Sequence, residues 1–283
     1  MVVKALNLTY LHTTLLFIYF WSDQMGKIIA IVNQKGGVGK TTTTVNLAAS
    51  MGCRNKKVLL IDIDPQGNAT SGCGINKKDN DLTSYDLLLG EIPAEQIIQH
   101  TKFKNLDIIP AGMELAGAEI EMVNLEERTF LLKKSLATIK PNYDFILFDC
   151  PPSLGLITLN ALTACDTLLV PIQCEYYALE GLSQLLGTVR QVKKMYNPLI
   201  DIEGVLLTMF DGRLNLTMQV VAEIKKFFPK KVYKTVIPRT VRLSEAPSFG
   251  EPAVYYDKNS KGAKAYDELA KEIIKINKKR KES

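Results

Sequence analysis

The sequence is poor in metal-binding and cross-linking residues. Its 283 residues include only two histidines and five cysteines. The cysteines are widely spaced and form no C-x-x-C pair, which argues against a zinc site or a disulfide framework and favours a reducing cytosol. Hydrophobic residues make up 46% of the chain and charged residues 23%, close to the average of soluble globular proteins. This composition excludes a disordered chain, a collagen and a polytopic membrane protein.

The sequence offers no apolar run long enough to span a bilayer. The stretch Leu15–Trp21 (LLFIYFW) falls well short of the roughly 20 apolar residues that a membrane helix needs. Lys4 lies upstream as in a signal peptide, but no small-residue cleavage site follows. We therefore expect residues 1–24 to be a non-native start or a disordered extension, before a domain over residues 25–283. A membrane-associating extension is the alternative.

Positive charge is concentrated in the last quarter of the chain. Residues 211–283 carry 17 Lys/Arg against 9 Asp/Glu, a net charge of +8, whereas residues 1–210 carry 18 against 21, a net charge of −3. Such asymmetry indicates either a polyanionic partner, nucleic acid or anionic lipid, or a solvated basic face.

Short continuous apolar runs alternate with longer helical patterns, without a Gly/Ser/Pro-rich linker. We predict strands over residues 27–33, 57–62, 106–109, 145–149, 167–172 and 202–208. We predict helices over residues 41–51, 115–139, 156–164, 179–195, 215–228 and 262–278, with frayed basic residues after the last. This alternation is typical of an α/β fold, a mostly parallel twisted sheet with helices on both faces.

A glycine-rich loop with a lysine and threonines joins the first strand to the first helix. It runs from Gln34 to Thr42 (QKGGVGKTT), in the strand–loop–helix context of a phosphate-binding P-loop. Its glycines let backbone N–H groups turn toward phosphates, and the helix N-terminus adds partial positive charge. We expect Lys40 to contact the β- and γ-phosphates of a nucleotide and the Thr41 hydroxyl to bind Mg²⁺.

Carboxylates follow two of the predicted strands. Asp62 and Asp64 close the second strand, and Asp149 closes FILFD, the Walker B pattern. Because ligands bind at the carboxyl edge of an open parallel sheet, we expect these groups near the P-loop. Asp64 is the candidate for orienting the attacking water, Asp62 for the Mg²⁺ and Lys40 environment, and Asp149 for holding Mg²⁺.

The loop departs from the standard P-loop in carrying a second lysine, and K-G-G-x-G-K-T-T is the deviant Walker A motif. With LLIDIDPQGNATSG, FILFDCPPSLG, TMFDGR and IPRTVRLSEAPSFGEP in order, the chain resembles the ParA/Soj branch of the ParA/MinD ATPases. The resemblance covers Met25 to about residue 275 and implies a P-loop NTPase that hydrolyses ATP slowly with Mg²⁺. Lys35 would be the signature lysine, which reaches the partner's phosphates in an ATP-bound dimer.

The resemblance also implies contacts and partners. ATP would be bound by the P-loop residues Lys35, Gly36, Gly37, Val38, Gly39, Lys40, Thr41 and Thr42, with Pro238, Arg239 and Thr240 at the adenine. The dimer would bind double-stranded DNA without sequence preference through Arg213 and Arg242. A ParB/Spo0J-like activator would stimulate hydrolysis. The protein would be cytoplasmic and nucleoid-associated, with no stable membrane partner.

Three other functions are compatible with parts of this pattern. A MinD-like membrane ATPase would share the nucleotide site, but it needs an amphipathic C-terminal helix for lipid, and bulky apolar residues end at Ile276. An iron–sulfur reductase would need paired cysteines, which the spacing does not provide. A small-molecule kinase would need an acceptor site and an arginine-rich lid, for which the sequence gives no evidence.

Overall fold

The computed structural model describes residues 26–281, except residues 78–79, 91 and 176–177. The predicted extension over residues 1–24 and the domain start at Met25 lie outside the described residues. Within them, eight strands form one sheet: β1 Lys27–Ile31, β2 Val58–Asp62, β3 Gln99–His100, β4 Leu106–Ile109, β5 Phe145–Asp149, β6 Thr167–Gln173, β7 Asp201–Phe210 and β8 Val232–Pro238.

The sheet has the order β3-β4-β2-β5-β1-β6-β7-β8. The two-residue β3 is antiparallel to β4, and the other neighbouring strands are parallel. Parallel pairing brings the carboxyl ends of β1, β2 and β5 to one edge, with Ile31 and Asp62 both in register with Asp149. The predicted fold class is therefore confirmed, and the P-loop and both strand-end aspartates lie at the same edge.

Helices connect the strands and cover both faces. They are α1 Lys40–Cys53, α2 Asn68–Gly72, α3 Ser84–Leu89, α4 Ala94–Ile97, α5 Leu115–Met122, α6 Leu131–Ser135, α7 Leu156–Ala164, α8 Ala178–Met195, α9 Asn215–Phe227, α10 Val241–Glu245, α11 Ala253–Tyr256 and α12 Lys261–Lys281. Two short 3₁₀ segments, Lys140–Asn142 and Ala246–Phe249, complete the connections.

The strands are buried on both faces, which explains their continuous apolar sequences. Alternate residues of β1 belong to two different cores. Ile28 belongs to the core that includes side chains of α5, α7, α8 and α9, and Ile29 to the core that includes those of α1 and α12. The helix α1, which begins at the P-loop lysine, is thus fixed between the sheet and the C-terminal helix.

The single helix predicted over residues 115–139 is wrong, because α5 ends at Met122 and α6 begins at Leu131. A fully buried side chain from α7 stabilises this break. Asn160 donates from Nδ2 to the Arg128 carbonyl at 2.8 Å and accepts at Oδ1 from the Leu132 amide at 3.2 Å. Backbone groups that a continuous helix would pair are therefore satisfied by a residue from another helix.

The expected fraying of the C-terminal basic residues is also wrong. Helix α12 continues to Lys281, and Arg280 Nη1 lies 2.8 Å from Glu203 Oε2. The Glu203 carboxylate is fully buried and also accepts from Asn277 Nδ2 at 2.7 Å. A buried carboxylate requires such partners, so the tail is held against β7.

Candidate nucleotide site

The P-loop connects β1 to α1 with two glycines in the left-handed region. Gly37 has φ 73° and Gly39, the N-cap of α1, has φ 88°. A Cβ atom placed on Gly36 or Gly37 would meet no heavy atom within 4 Å, so the loop surface there is open. The geometry leaves room for phosphate oxygens to approach the backbone closely.

The P-loop lysine lies beneath this opening. Lys40 is 7% exposed, and its Nζ donates to the Lys35 carbonyl at 3.2 Å. Burial lowers the pKa of Lys40, while the neighbouring carboxylates of Asp149 and Asp64 oppose that shift. A buried ammonium with a single carbonyl acceptor still has donors to offer to an anion.

Asp149 is bound by two threonines of α1. Thr41 Oγ1 donates to Asp149 Oδ2 at 2.7 Å, and Thr44 Oγ1 donates to Asp149 Oδ1 at 2.9 Å. The sequence predicted that Thr41 and Asp149 share a site, and the structure brings them into contact. Thr44 was missed, although it lies three positions after Thr41 and therefore on the same face of α1.

Asp62 and Asp149 end neighbouring strands in the same register, and both are fully buried. Asp62 Oδ2 accepts from the amide and the hydroxyl of Thr70, each at 2.8 Å, and its Oδ1 accepts from the Asp64 amide at 3.2 Å. The Asp62 carboxylate thus fixes the loop that carries Asp64. Thr70 was missed because its role depends on this tertiary contact.

Burial is the main cause of raised pKa values at this pair. It raises the pKa of Asp149 to about 8 and that of Asp62 to about 6, with the nearby carboxylates acting in the same direction. Two buried carboxyl groups this close retain a proton unless a cation offsets their charge. The site therefore has the electrostatics of a cation site.

The donor set fits Mg²⁺ held together with a nucleotide. Within the described residues, no group of three or more His, Cys, Asp or Glu side chains could hold a metal alone. Thr41 and Asp149 could provide two oxygen ligands, and Mg²⁺ usually takes the rest from water and phosphates. A cleft of about 440 Å³ opens beside Thr41 and Thr42 and extends to Pro247 and Glu251. A larger hollow of about 920 Å³ lies at the opposite edge, beside Gly26 and Asp201, and contains none of these site residues.

The remaining predicted residues lie on loops around this edge. Asp64 is half-buried, and its Oδ1 accepts from the Gln66 amide at 2.9 Å. Lys35 Nζ forms an ion pair with Glu175 Oε2 at 2.6 Å, a partner that the sequence did not indicate.

The predicted adenine site follows β8. The hydroxyl of Thr240 is buried there without a hydrogen-bond partner among the described residues. Because this oxygen is closed to solvent, a ligand would reach it only after a local rearrangement, and the adenine contact at Pro238–Thr240 stays a prediction.

The two predicted DNA-binding arginines follow the adjacent strands β7 and β8. Arg213 is 89% exposed at its side chain and pairs with Asp211. Arg242 lies in α10, where it pairs with Glu245 at 2.9 Å and Asp257 at 3.5 Å, and its guanidinium lies 6.0 Å from the centre of the Tyr256 ring. Both arginines are accessible, and each is paired with a nearby carboxylate, Arg213 within its own loop and Arg242 within its own helix.

Comparison with known proteins identifies the family. A family model described as an AAA domain matches residues 26–202. The sporulation initiation inhibitor protein Soj of Bacillus subtilis is 61% identical over 88% of this chain and 98% of its own length. This chain belongs to the Soj/ParA family. The chromosome partitioning protein ParA of Myxococcus xanthus is 51% identical, over 89% of both chains. The resemblance drawn from the motifs is therefore confirmed.

Solved structures resemble this Soj/ParA chain over most of its length. Cobyrinic acid a,c-diamide synthase of Mycobacterium smegmatis, with bound ADP and magnesium, has a TM-score of 0.79 and 34% identity over 90% of this chain and 96% of its own. A putative plasmid partition protein of Borrelia burgdorferi bound to AMPPNP has a TM-score of 0.73 and 30% identity, over 90% of this chain and 99% of its own. The cell division ATPase MinD of Pyrococcus furiosus has a TM-score of 0.74 and 31% identity, over 89% of this chain and 100% of its own.

Proposed function

We propose that this chain is a Mg²⁺-dependent ATPase that dimerises with ATP, binds double-stranded DNA nonspecifically and partitions chromosomes or plasmids with a ParB-like activator. The observation that carries the proposal is the contact between Thr41 of the P-loop helix and the Walker B Asp149, beside the buried Lys40. It occurs in a chain of the Soj/ParA family, whose relatives are named for chromosome partitioning. Solved relatives hold ADP with magnesium or an ATP analogue at the same fold.

The P-loop binds and orients the triphosphate. The loop surface at Gly36 and Gly37 is open, so backbone N–H groups there would bind the phosphates, and the buried Lys40 adds a positive charge. Thr41 and Asp149 would hold Mg²⁺, which neutralises charge on the phosphate oxygens when bound. The adenine would lie against Pro238–Thr240, where the Thr240 hydroxyl has no other partner among the described residues.

Asp64 is proposed to orient the attacking water. Its half-exposed carboxylate lies near Lys40, on a loop whose backbone is fixed by the Asp62 carboxylate. Asp62 thus acts on the position of Asp64, because its own oxygens are occupied by Thr70 and the Asp64 amide. A fixed carboxylate near the γ-phosphate can hold a water in line without acting as a strong base.

Lys35 is proposed to act across the dimer. In the isolated chain it pairs with Glu175, and the two side chains are 36% and 48% exposed. An exposed ion pair of this kind is weak, so a partner's phosphates can compete for the lysine. Transfer of Lys35 from Glu175 to the partner's nucleotide would make ATP binding and dimerisation mutually dependent.

Arg213 and Arg242 are proposed to contact DNA phosphates from each half of the dimer. Their placement after β7 and β8, in the region of net positive charge, supports this role. Contacts to phosphate do not select sequence and weaken steeply as salt rises. A protein acting in this way would be found in the cytoplasm on the nucleoid.

The proposal is tested by DNA retention of the purified chain with ATPγS, with ADP and without nucleotide, each with Mg²⁺. We expect retention only with ATPγS. The double variant Arg213→Ala/Arg242→Ala should lose DNA and keep ATP-dependent dimerisation, whereas the matched control Lys104→Ala/Lys133→Ala should keep both. Equal retention in all three nucleotide states would contradict the proposal.

The C-terminal helix gives less support to the alternative function, a MinD-like membrane ATPase. Such a protein would need apolar residues of this helix free to bind lipid. The apolar residues of α12, including Tyr266, Leu269 and Ile273, are buried against the sheet and α1. No helix of the described residues has the length and hydropathy needed to cross a membrane. Co-sedimentation with anionic vesicles in ATPγS should leave the chain in the supernatant, and ATP-dependent pelleting would favour the alternative.

A further inference from the structure

The end of strand β7 contacts the P-loop. Thr208 Oγ1 donates a 2.8 Å hydrogen bond to the Val38 carbonyl, and both residues are only 2% exposed. The methyl group of Thr208 also lies 3.7 Å from the Cβ position that a side chain on Gly39 would occupy. A displacement of the Val38 carbonyl would therefore act directly on Thr208 through this hydrogen bond.

Val38 is placed where phosphate binding would act on it. It stands between Gly37 and Gly39, with φ of 73° and 88°, and these glycines determine where the Val38 carbonyl points. A P-loop binds phosphate through its own backbone N–H groups, so any adjustment of the peptide planes around Val38 on phosphate binding would displace the Val38 carbonyl. The hydroxyl of Thr208 is fixed to the carbonyl of one of those planes.

The residue after Thr208 has a strained backbone. Met209 has φ 48°, in the left-handed region that side chains other than glycine rarely adopt. The register between β7 and β8 also shifts between Leu207 and Phe210. A strained residue persists only where its surroundings hold it, and such residues are common in segments that switch between two conformations.

This strained segment leads directly to Arg213. The strand β7 ends at Phe210, and the next residues, Asp211 to Arg213, form the loop that carries the arginine. Arg213 is tied to that loop through its amide, which donates to Asp211 Oδ1 at 3.1 Å, and through its guanidinium. The position of the guanidinium is therefore set by the backbone that follows Met209.

We propose that Thr208 is a positioning residue that couples the state of the P-loop to the DNA-binding loop at Arg213. Phosphate binding moves the Val38 carbonyl, Thr208 follows it, and the strained Met209 lets the loop change its conformation. The inference rests on the proposed function, because it concerns how ATP controls the DNA contact at Arg213. Control of DNA binding by ATP would then require this contact between Thr208 and the P-loop as well as dimerisation.

The test compares DNA affinity with and without ATPγS in matched threonine variants. Thr208→Val removes the hydroxyl and keeps the shape, and Thr208→Ser keeps the hydroxyl. Thr167→Val in the neighbouring β6 is the control, since its buried hydroxyl has no partner among the described residues. The gain in affinity on adding ATPγS should fall about fivefold in Thr208→Val, the factor expected from one neutral hydrogen bond, and should persist in Thr208→Ser and Thr167→Val.

Two further readouts separate coupling from general damage. Thr208→Val should still form the ATPγS-dependent dimer, and a variant that stays monomeric would count against a positioning role. In the wild type, hydrogen exchange of the amides of residues 209–213 should change when ATPγS is added without DNA. Unchanged exchange there, or an unchanged affinity gain in Thr208→Val, would overturn the inference. A wild type without any nucleotide effect on DNA would instead overturn the proposed function.

Discussion

The guanidinium of Arg213 binds both carboxylate oxygens of Asp211. Nε lies 2.8 Å from Oδ1, and Nη2 lies 2.7 Å from Oδ2. Hydrogen bonds from Arg213 lower the pKa of Asp211 to about 2, so the carboxylate stays ionised throughout the physiological range. The arginine proposed to contact DNA is therefore already paired within its own loop, and a phosphate must compete with Asp211 for it.

The first prediction concerns this competition. Asp211→Asn should raise the affinity for nonspecific DNA about threefold in the presence of ATPγS, because the pair is exposed and individually weak. DNA affinity measured over a range of salt concentrations checks the prediction, with Asp257→Asn as the comparison beside Arg242. A lower affinity in Asp211→Asn would mean that the carboxylate orients Arg213 for DNA rather than competing with it.

The second prediction concerns nucleotide binding. Lys40→Ala should abolish ATP binding, because it removes the buried ammonium group of the P-loop, which would bind the phosphates. Titration calorimetry with ATPγS and Mg²⁺ measures the loss, and Lys57→Ala, at the exposed position just before β2, serves as the control. Nucleotide affinity within about twofold of wild type, less than one neutral hydrogen bond contributes, would exclude the proposed role of Lys40.

The third prediction is a pH dependence of stability without nucleotide and Mg²⁺. Asp149 and Asp62 have pKa values raised to about 8 and about 6, above the value near 4 of an unfolded carboxyl. Between these values the folded chain binds more protons than the unfolded chain, so the free energy of unfolding should fall as pH rises from about 4 to about 8. Urea unfolding at several pH values measures this slope, which Asp149→Asn should flatten.

The fourth prediction concerns the C-terminal helix. Arg280→Ala would leave the buried Glu203 carboxylate with Asn277 and the more distant Lys27, whose Nζ is 3.9 Å away. The free energy of unfolding should fall by about 2 kcal/mol, less than for a fully buried pair because Arg280 is partly exposed. Lys279→Ala, an exposed neighbour on the same turn, should have little effect. Equal stability of the two variants would contradict the role assigned to Arg280.

Sequence patterns predicted what depends on local chemistry. The P-loop, the strand-end aspartates and the buried parallel strands each follow from a short run of residues. The P-loop and the aspartates lie at the predicted edge of the sheet that the strands form. The strand Val232–Pro238 was missed, because its charged and polar residues interrupt the apolar pattern at the exposed edge of the sheet.

The other failures have a common physical cause, which is pairing between residues far apart in the chain. The break between α5 and α6 depends on Asn160, and the order of the last helical turn depends on Glu203. Likewise, the contact between Lys35 and Glu175 joins positions separated by 140 residues. A single sequence contains the partners in each case, but no local pattern indicates which of them meet.

The central claim is that ATP joins two copies of this chain and that Asp64 is needed for hydrolysis but not for joining. Light scattering of Asp64→Ala with ATP and Mg²⁺ tests it most directly, against the same variant without nucleotide. The account predicts a stable dimer of twice the 31.5 kDa chain mass with ATP, and a monomer without it. An Asp64→Ala protein that binds ATP and remains at 31.5 kDa would contradict the account.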